Sequence, residues 1–118
     1  DKNLNNLYLC GFTNTTQITY NGITYSGGTS TSTNSGFLLK IDTSVSVAGA
    51  ALWFKWISGP SSSNINVYAL DIDSADNVIV GCWGTAQNLT IGGVGYSNEG
   101  PLTTSGRLET TFIVKFNS

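Results

Sequence analysis

The chain carries two altered copies of one pattern, set about 71 residues apart. Each copy has an apolar run ending in glycine, cysteine and an aromatic residue, then a Thr-rich segment with a central turn, then a run containing lysine. Repeats of this length are typical of solenoids, propellers and other arrays. The sequence therefore predicts one unit built twice. The matched segments are residues 6–12 with 77–83, residues 18–26 with 89–97, and, at an offset of 75, residues 37–42 with 112–117.

The pattern within each copy predicts strands. The runs 6–12 and 77–83 are apolar without alternation, which suits strands buried on both faces. Asn21-Gly22 and Gly92-Gly93 are turn dipeptides inside short β-prone segments, so each predicts a hairpin. Ser, Thr, Asn and Gly dominate the rest of the chain, as in proteins with many turns. We expect an all-β fold, with further strands at residues 37–41, 52–57, 67–73 and 112–117.

Several of these segments resemble the SBBP-type β-propeller repeat. They are DSADNVIVG at 73–81, the Thr/Gly hairpin after it, FIVKF at 112–116, and Leu52-Trp53 upstream. The resemblance implies β-propeller-like blades of antiparallel four-stranded sheets, about one and a half in this chain. Residues 1–51 would be the outer half of a first blade plus a connection, and residues 52–118 one complete blade. Because Cys10-Gly11 is reversed as Gly81-Cys82, the two copies would present different surfaces.

One and a half blades cannot close a ring. They would leave Trp53, Trp56 and other apolar side chains on uncovered sheet faces, a larger patch than soluble monomers usually show. Three arrangements would cover them: a longer propeller or larger assembly of which this chain is a piece, several copies completing a ring, or a compact non-propeller sandwich. The first is favoured, also because the chain starts with Asp1 and has no methionine, which suggests processing or a longer parent.

Composition excludes some classes of function. The net charge is −2 and Lys plus Arg number only 5, so the clustered basic residues that nucleic acid requires are missing. No apolar run approaches the ~20 residues that span a bilayer. There is no histidine, the usual base for a serine or cysteine nucleophile, and two distant cysteines do not make a zinc site. We expect no enzyme activity, no catalytic residue, no metal and no cofactor.

The carboxylates that come closest together in the sequence are Asp71, Asp73 and Asp76. They could form a Ca²⁺ site or a glycosidase acid/base pair. The alternative is that Asp73 and Asp76 close a turn by bonding its backbone. Because no glycine marks a calcium loop here, the turn is favoured.

Aromatic side chains are the candidate binding residues. Tyr20, Tyr25 and Tyr96 lie on the two hairpins, and we expect them, with Trp83, to form contact surfaces. Trp53, Trp56 and Trp83 could stack on sugar rings or pack between blades, and packing between blades is favoured. For the equivalent lysines Lys40 and Lys115, we expect stems along the sheet and ammonium groups in water.

These observations predict a non-enzymatic β-propeller repeat segment with a structural or protein-interaction role. It would belong to a larger or oligomeric extracellular, cell-surface or virion assembly, with other protein chains or further repeats as partners. The alternative is a carbohydrate-binding lectin formed as an oligomeric propeller ring, with glycans as ligands. Asn14 and Asn88 each match the N-glycosylation pattern, and the sequence leaves their modification open. Cys10 and Cys82 are expected to be free, buried thiols.

Overall fold

In a computed structural model, the chain is described over residues 5–45, 49–86, 88–97 and 110–117, and its regular elements there are all strands. The all-β prediction is confirmed, and every strand pairing found is antiparallel. The strands of this part of the chain are β1 (Asn6–Thr13), β2 (Gln17–Tyr20), β3 (Ile23–Ser26), β4 (Ser35–Asp42), β5 (Ala50–Ser58), β6 (Ile65–Ile72), β7 (Val78–Gly84), β8 (Asn88–Ile91), β9 (Val94–Ser97) and β10 (Thr110–Phe116).

The strands form two main sheets and a separate hairpin. The first sheet has the order β1-β4-β5-β8-β9, the second sheet has the order β10-β7-β6, and β2 and β3 pair only with each other. Residues 98–110, which the sequence predicts as a loop before the last strand because they lie between two β-prone segments, are outside the described residues except for Thr110. Within the described ranges neither main sheet closes on itself.

The sequence repeat is also a repeat of structure. The strands β2 and β3 become β8 and β9 with the same bounds after a shift of 71 residues. In β1–β4, Cys10 pairs with Leu38, and the equivalent pair in β7–β10 is Gly81 with Ile113. Both predicted hairpin turns have positive φ at both central residues, 48° and 78° at Asn21-Gly22 and 56° and 90° at Gly92-Gly93. The copies therefore share strand bounds, register and turn geometry.

The position of β5 differs from the sequence-based expectation. Residues 52–57 were assigned to the same blade as β6, β7 and β10, but β5 pairs with β4 and lies in the first sheet. The second sheet accordingly has three described strands rather than four. The reason is not local: β5 is joined to β4 and to β6 by connections of similar length, so packing between distant residues decides which strand it pairs with. The described residues do not confirm the expected four-stranded blade.

The two main sheets share one hydrophobic core. Antiparallel partners point to the same side of a sheet, so the register gives each sheet an inner face that packs against the other sheet and an outer face. The fully buried residues between them include Leu38 and Ile57 of the first sheet and Val78, Val80 and Cys82 of the second. The inner faces are completed by partly buried residues that pack against this cluster: Tyr8, Cys10, Trp53, Leu70, Phe112, Val114 and Phe116.

The sheets meet closely where β4 begins. A Cβ at Gly36 would lie 2.6 Å from Val67 Cγ2, so only glycine allows this approach. Beside it, the Asn34 side-chain amide donates to Asn66 Oδ1 at 2.9 Å, and the Ile65 amide donates to the Asn34 carbonyl at 2.8 Å. These bonds tie the start of β4 to the start of β6 and fix how the two sheets stack.

The two copies turn opposite faces inward. Val80 of β7 is 0% exposed in the core, whereas the equivalent Leu9 of β1 is 47% exposed on an outer face. Conversely, Cys10 packs on the core, and its equivalent Gly81 lies on the outer face of the second sheet. The stacking is therefore head to tail: the face of β1–β4 that carries Cys10 packs on the face of β7–β10 that carries Val80, and these two faces are not equivalent in the repeat.

Both cysteines are free, as expected. Cys82 is 2% exposed, while Cys10 is only half-buried, so the expectation of two buried thiols holds fully for Cys82 alone. Burial, with the Cys10 thiol adding to it, raises the pKa of Cys82 to about 12. Both thiols point between the sheets and act there as small apolar groups.

Candidate functional site

The outer edge of β10 opens onto a groove of about 430 Å³. Five consecutive β10 residues, from Phe112 to Phe116, line it. Since consecutive strand residues point to opposite faces, this lining means that the groove runs along the backbone edge. Its other wall comes from Lys55 of β5 and from Ile91, Gly92 and Tyr96 of the β8–β9 hairpin. Among the described strands, only β7 pairs with β10.

Tyr96 is the one predicted contact residue that lines this groove. Its side chain is 52% exposed on β9. The hairpin that carries it is held to the first sheet, because Ile57 and Ser58 of β5 pair with Ile91 and Thr90 of β8. The tyrosine is thus presented on a fixed strand at the open edge of the second sheet.

Tyr25, the equivalent of Tyr96, packs against another ring of the same chain. Its ring stacks on Phe54 of β5 with centroids 4.7 Å apart and planes 14° from parallel. Phe54 also stacks on Phe37 of β4 at 5.9 Å. The β2–β3 hairpin therefore covers part of the first sheet's outer face, and Tyr25 is a structural contact within the chain.

Tyr20 and Trp83 lie in different places from Tyr96. The Tyr20 hydroxyl lies close to Gly49, where an added Cβ would be 3.4 Å away, and the neighbouring Asn21 side chain donates to the Gly49 carbonyl at 3.1 Å. Trp83 lies half-buried on the outer face of the second sheet, beside Thr111. The four predicted contact residues do not converge on one site.

The outer face of the second sheet carries an apolar patch among polar residues. Register places Ile79, Trp83 and Ile113 on this side with Gly81 between them, and it also places Asp71 and Lys115 there. Ile113 is 75% exposed, an unusual state for an isoleucine at the middle of a strand. This surface, named here the open face, is the second feature that could contact a partner.

Trp53 and Trp56 pack within the chain. The Trp53 ring lies 6.0 Å from Tyr8 and 6.4 Å from Phe116, which joins the two sheets. Trp56 meets Phe54 edge-on at 5.1 Å, and Gly27 lies against its ring. Both side chains are half-buried, so the expectation that they lie on uncovered sheet faces is wrong. They pack rather than stand free for sugar stacking, but they do so within one chain and not between propeller blades.

Asp73 closes a turn, as the favoured interpretation of the acidic cluster predicted. It accepts hydrogen bonds from the backbone amides of Ala75 at 2.9 Å and Asn77 at 3.0 Å, and from the Asn77 side chain. Lys115 adds a salt bridge of 2.7 Å. Lys115, with these donors, holds the pKa of the Asp73 carboxyl well below its usual range. Among the described residues, no three Cys, Asp or Glu side chains group as a metal site requires.

We expect the ammonium groups of the two equivalent lysines in water, and the Lys115 side chain is 51% exposed; both lysines also have partners. Lys115 binds Asp73, and Lys40 Nζ lies 5.4 Å from the centroid of the Tyr8 ring. The position is shared by the two copies, but the partner differs because Tyr8 is replaced by Ile79 in the second copy. Sequence reasoning missed the Lys115–Asp73 pair, although FIVKF and the aspartate turn both stood out.

The groove and the open face are the two candidate sites in the part of the chain that the structure describes. The groove has aromatic and apolar walls with lysines at Lys55 and Lys115. In the part of the chain that the structure describes, there is no helix with the length and apolar character needed to cross a bilayer. Comparison with protein-family models, with curated proteins and with solved structures finds no match.

Proposed function

We propose that the chain is a non-enzymatic β-propeller-type repeat segment with a structural or protein-interaction role. Its partners are other protein chains or further repeats of the same kind, in a larger or oligomeric assembly. We propose that this assembly lies outside a cell, on a cell surface or on a virion.

The observation that carries this proposal is the head-to-tail stacking of two equivalent strand pairs, β1–β4 in the first sheet and β7–β10 in the second. Within the chain, the inner face of the first sheet covers the inner face of the second. The outer faces carry the equivalents of the buried residues. Leu9 on the outer face of the first sheet is equivalent to the buried Val80, and Ile113 on the outer face of the second sheet is equivalent to the buried Leu38. Head-to-tail contacts of this type propagate, either into rings or into open arrays.

The packing of the aromatic residues favours this function over the lectin alternative. Trp53, Trp56 and Tyr25 each contact other aromatic rings of the chain, so their faces are used in the fold. Trp83 on the open face is the remaining candidate for sugar stacking. A glycan array with a Trp83→Ala control separates the two functions, since only the lectin would bind glycans through Trp83.

Sedimentation over a range of concentrations tests the proposal. We expect mass above that of one chain, rising with concentration, because the open face and the outer face that carries Leu7 and Leu9 both expose apolar side chains. Ile113→Lys should shift the equilibrium toward single chains. The matched control Val45→Lys adds the same charge at an exposed valine after β4 and should leave it unchanged. A single-chain mass at every concentration, with no retention on immobilised copies of the chain, would contradict the proposal.

A further inference from the structure

The groove at β10 has a filled counterpart in the first copy. There, β4, the equivalent of β10, is paired on its second edge by β5. Phe54 of β5 lies between Tyr25, at 4.7 Å, and Phe37, at 5.9 Å. The equivalents of these two rings are Tyr96 and Phe112, and both line the groove beside β10. Among the described residues, the second copy thus has the two walls of an aromatic slot but not the strand that fills the slot in the first copy.

We infer that the open edge of β10 is a docking site for an extended strand of the β5 type, supplied by a further repeat of the same kind. This inference rests on the proposed function and names the partner segment. Pairing along an exposed strand edge is an established mode of peptide recognition, in which the backbone gives affinity and side-chain pockets give specificity. Here the specificity pocket is the slot between Tyr96 and Phe112.

The first copy also fixes the register of docking. Phe37 pairs with Trp56, Leu39 with Phe54, and Lys40 with Trp53. Transferred to β10, the incoming strand runs antiparallel with its first tryptophan opposite Lys115 and its phenylalanine opposite Val114. Its second tryptophan then lies opposite Phe112. Each of these β10 residues lines the groove.

The chain's own β5 does not fill this site. Its residues from Ala50 to Ile57 are paired with β4 in the first sheet. At the far end of β5, Ile57 and Ser58 also pair with β8. Donating β5 to β10 of another copy would therefore disrupt the first sheet, so a separate β5-type segment is the occupant to which the geometry points.

A peptide with the sequence of residues 50–58 (AALWFKWIS), carrying a fluorophore and a Lys-Lys tail for solubility, tests this with the full chain. We expect saturable one-to-one binding by fluorescence anisotropy, and none by a scrambled peptide. Tyr96→Ala should weaken binding by roughly tenfold, since it removes one wall of the slot. Tyr68→Ala is the matched control, because Tyr68 is an exposed tyrosine on β6, at the opposite edge of the second sheet. It should leave affinity unchanged.

A peptide with Phe54→Ala tests the aromatic slot without any change to the chain, so its result does not depend on whether the Tyr96→Ala chain folds. This peptide should bind the unaltered chain roughly tenfold more weakly than the parent peptide does. Tyr96→Ala in the chain should then weaken its binding little further, because the Phe54 and Tyr96 rings contact each other in the proposed complex. Equal binding of the parent, scrambled and Phe54→Ala peptides, or no binding, would overturn the inference. If the chain still associates with copies of itself while the peptide does not bind, the proposed function stands and this inference fails. If neither occurs, both fail.

Discussion

Asp73 shows how one side chain can connect two elements of this fold. Its carboxylate accepts hydrogen bonds from the turn before β7 and forms a salt bridge with Lys115 on β10. It therefore links β7 to β10, which are also paired with each other in the sheet. The turn itself includes Asp76 at a φ of 63°, a conformation that asparagine and aspartate tolerate better than most residues. The charge of Asp73 thus contributes to the folded state.

We predict that acid weakens the fold through Asp73. Its pKa is lowered on folding, so its contribution is present above the ordinary carboxyl range near 4 and is lost as the pH falls below it. Asp73→Asn should lower the urea midpoint at pH 7 and reduce the loss of stability between pH 5 and pH 2. The matched control is Asp71→Asn, which removes the same charge from an exposed position on β6. If both variants show the same acid dependence as the parent chain, the Lys115 pair is not responsible.

Strand positions were predictable because they depend on local signals. Unbroken apolar runs gave β1 and β7, and the Asn-Gly and Gly-Gly turns gave both hairpins with bounds within one residue of those found. The pairing of β5 was not predictable in this way. Residues 52–57 fit a strand next to β4 or next to β6 equally well, and the choice depends on packing between distant residues. A local pattern holds no information on that choice.

The candidate site was predictable only in part for the same reason. Tyr96 was identified because it lies on a hairpin and is repeated, but its equivalent Tyr25 carries the same signal and turned out to be packed on Phe54. What separates them is the presence of β5 beside β4 and not beside β10. Lys55 and Phe112, which also line the groove, gave no signal as contact residues, because both fit equally well as ordinary strand residues.

We predict that equivalent positions in β1 and β7 differ sharply in their contribution to stability. Val80→Ala removes two buried methyl groups from the core and should cost about 2 kcal/mol of unfolding free energy. Leu9→Ala, at the equivalent exposed position, should cost under about 1 kcal/mol in the single chain. Urea unfolding of both variants at a concentration where the chain is monomeric measures this. Equal costs would contradict the assignment of inner and outer faces.

The molecule as a whole contains two equivalent strand pairs, β1–β4 and β7–β10, in two sheets that differ in their described strands, five in the first and three in the second. These strands pair in the same register in both copies, yet the face that carries Val80 is buried in the second copy, whereas the equivalent face, with Leu9, lies on the outside in the first. The β2–β3 hairpin covers part of the first sheet's outer face, and Leu39 and Ile41 on that face are buried, whereas Leu7 and Leu9 are exposed. On the outer face of the second sheet, Ile113 is exposed. These exposed apolar side chains are the ones that the proposed array would cover.

Amide hydrogen exchange, followed residue by residue at a concentration where the chain is monomeric, tests the open edges directly. β4 lies between β1 and β5, and β7 lies between β10 and β6, so both should be protected at consecutive residues. β1 and β10 are bonded on one side only among the described strands and should show protection at every second residue. Alternating protection in β10 is the result we predict. Continuous protection along β10 in the single chain would mean that its edge is already filled, and would contradict the account.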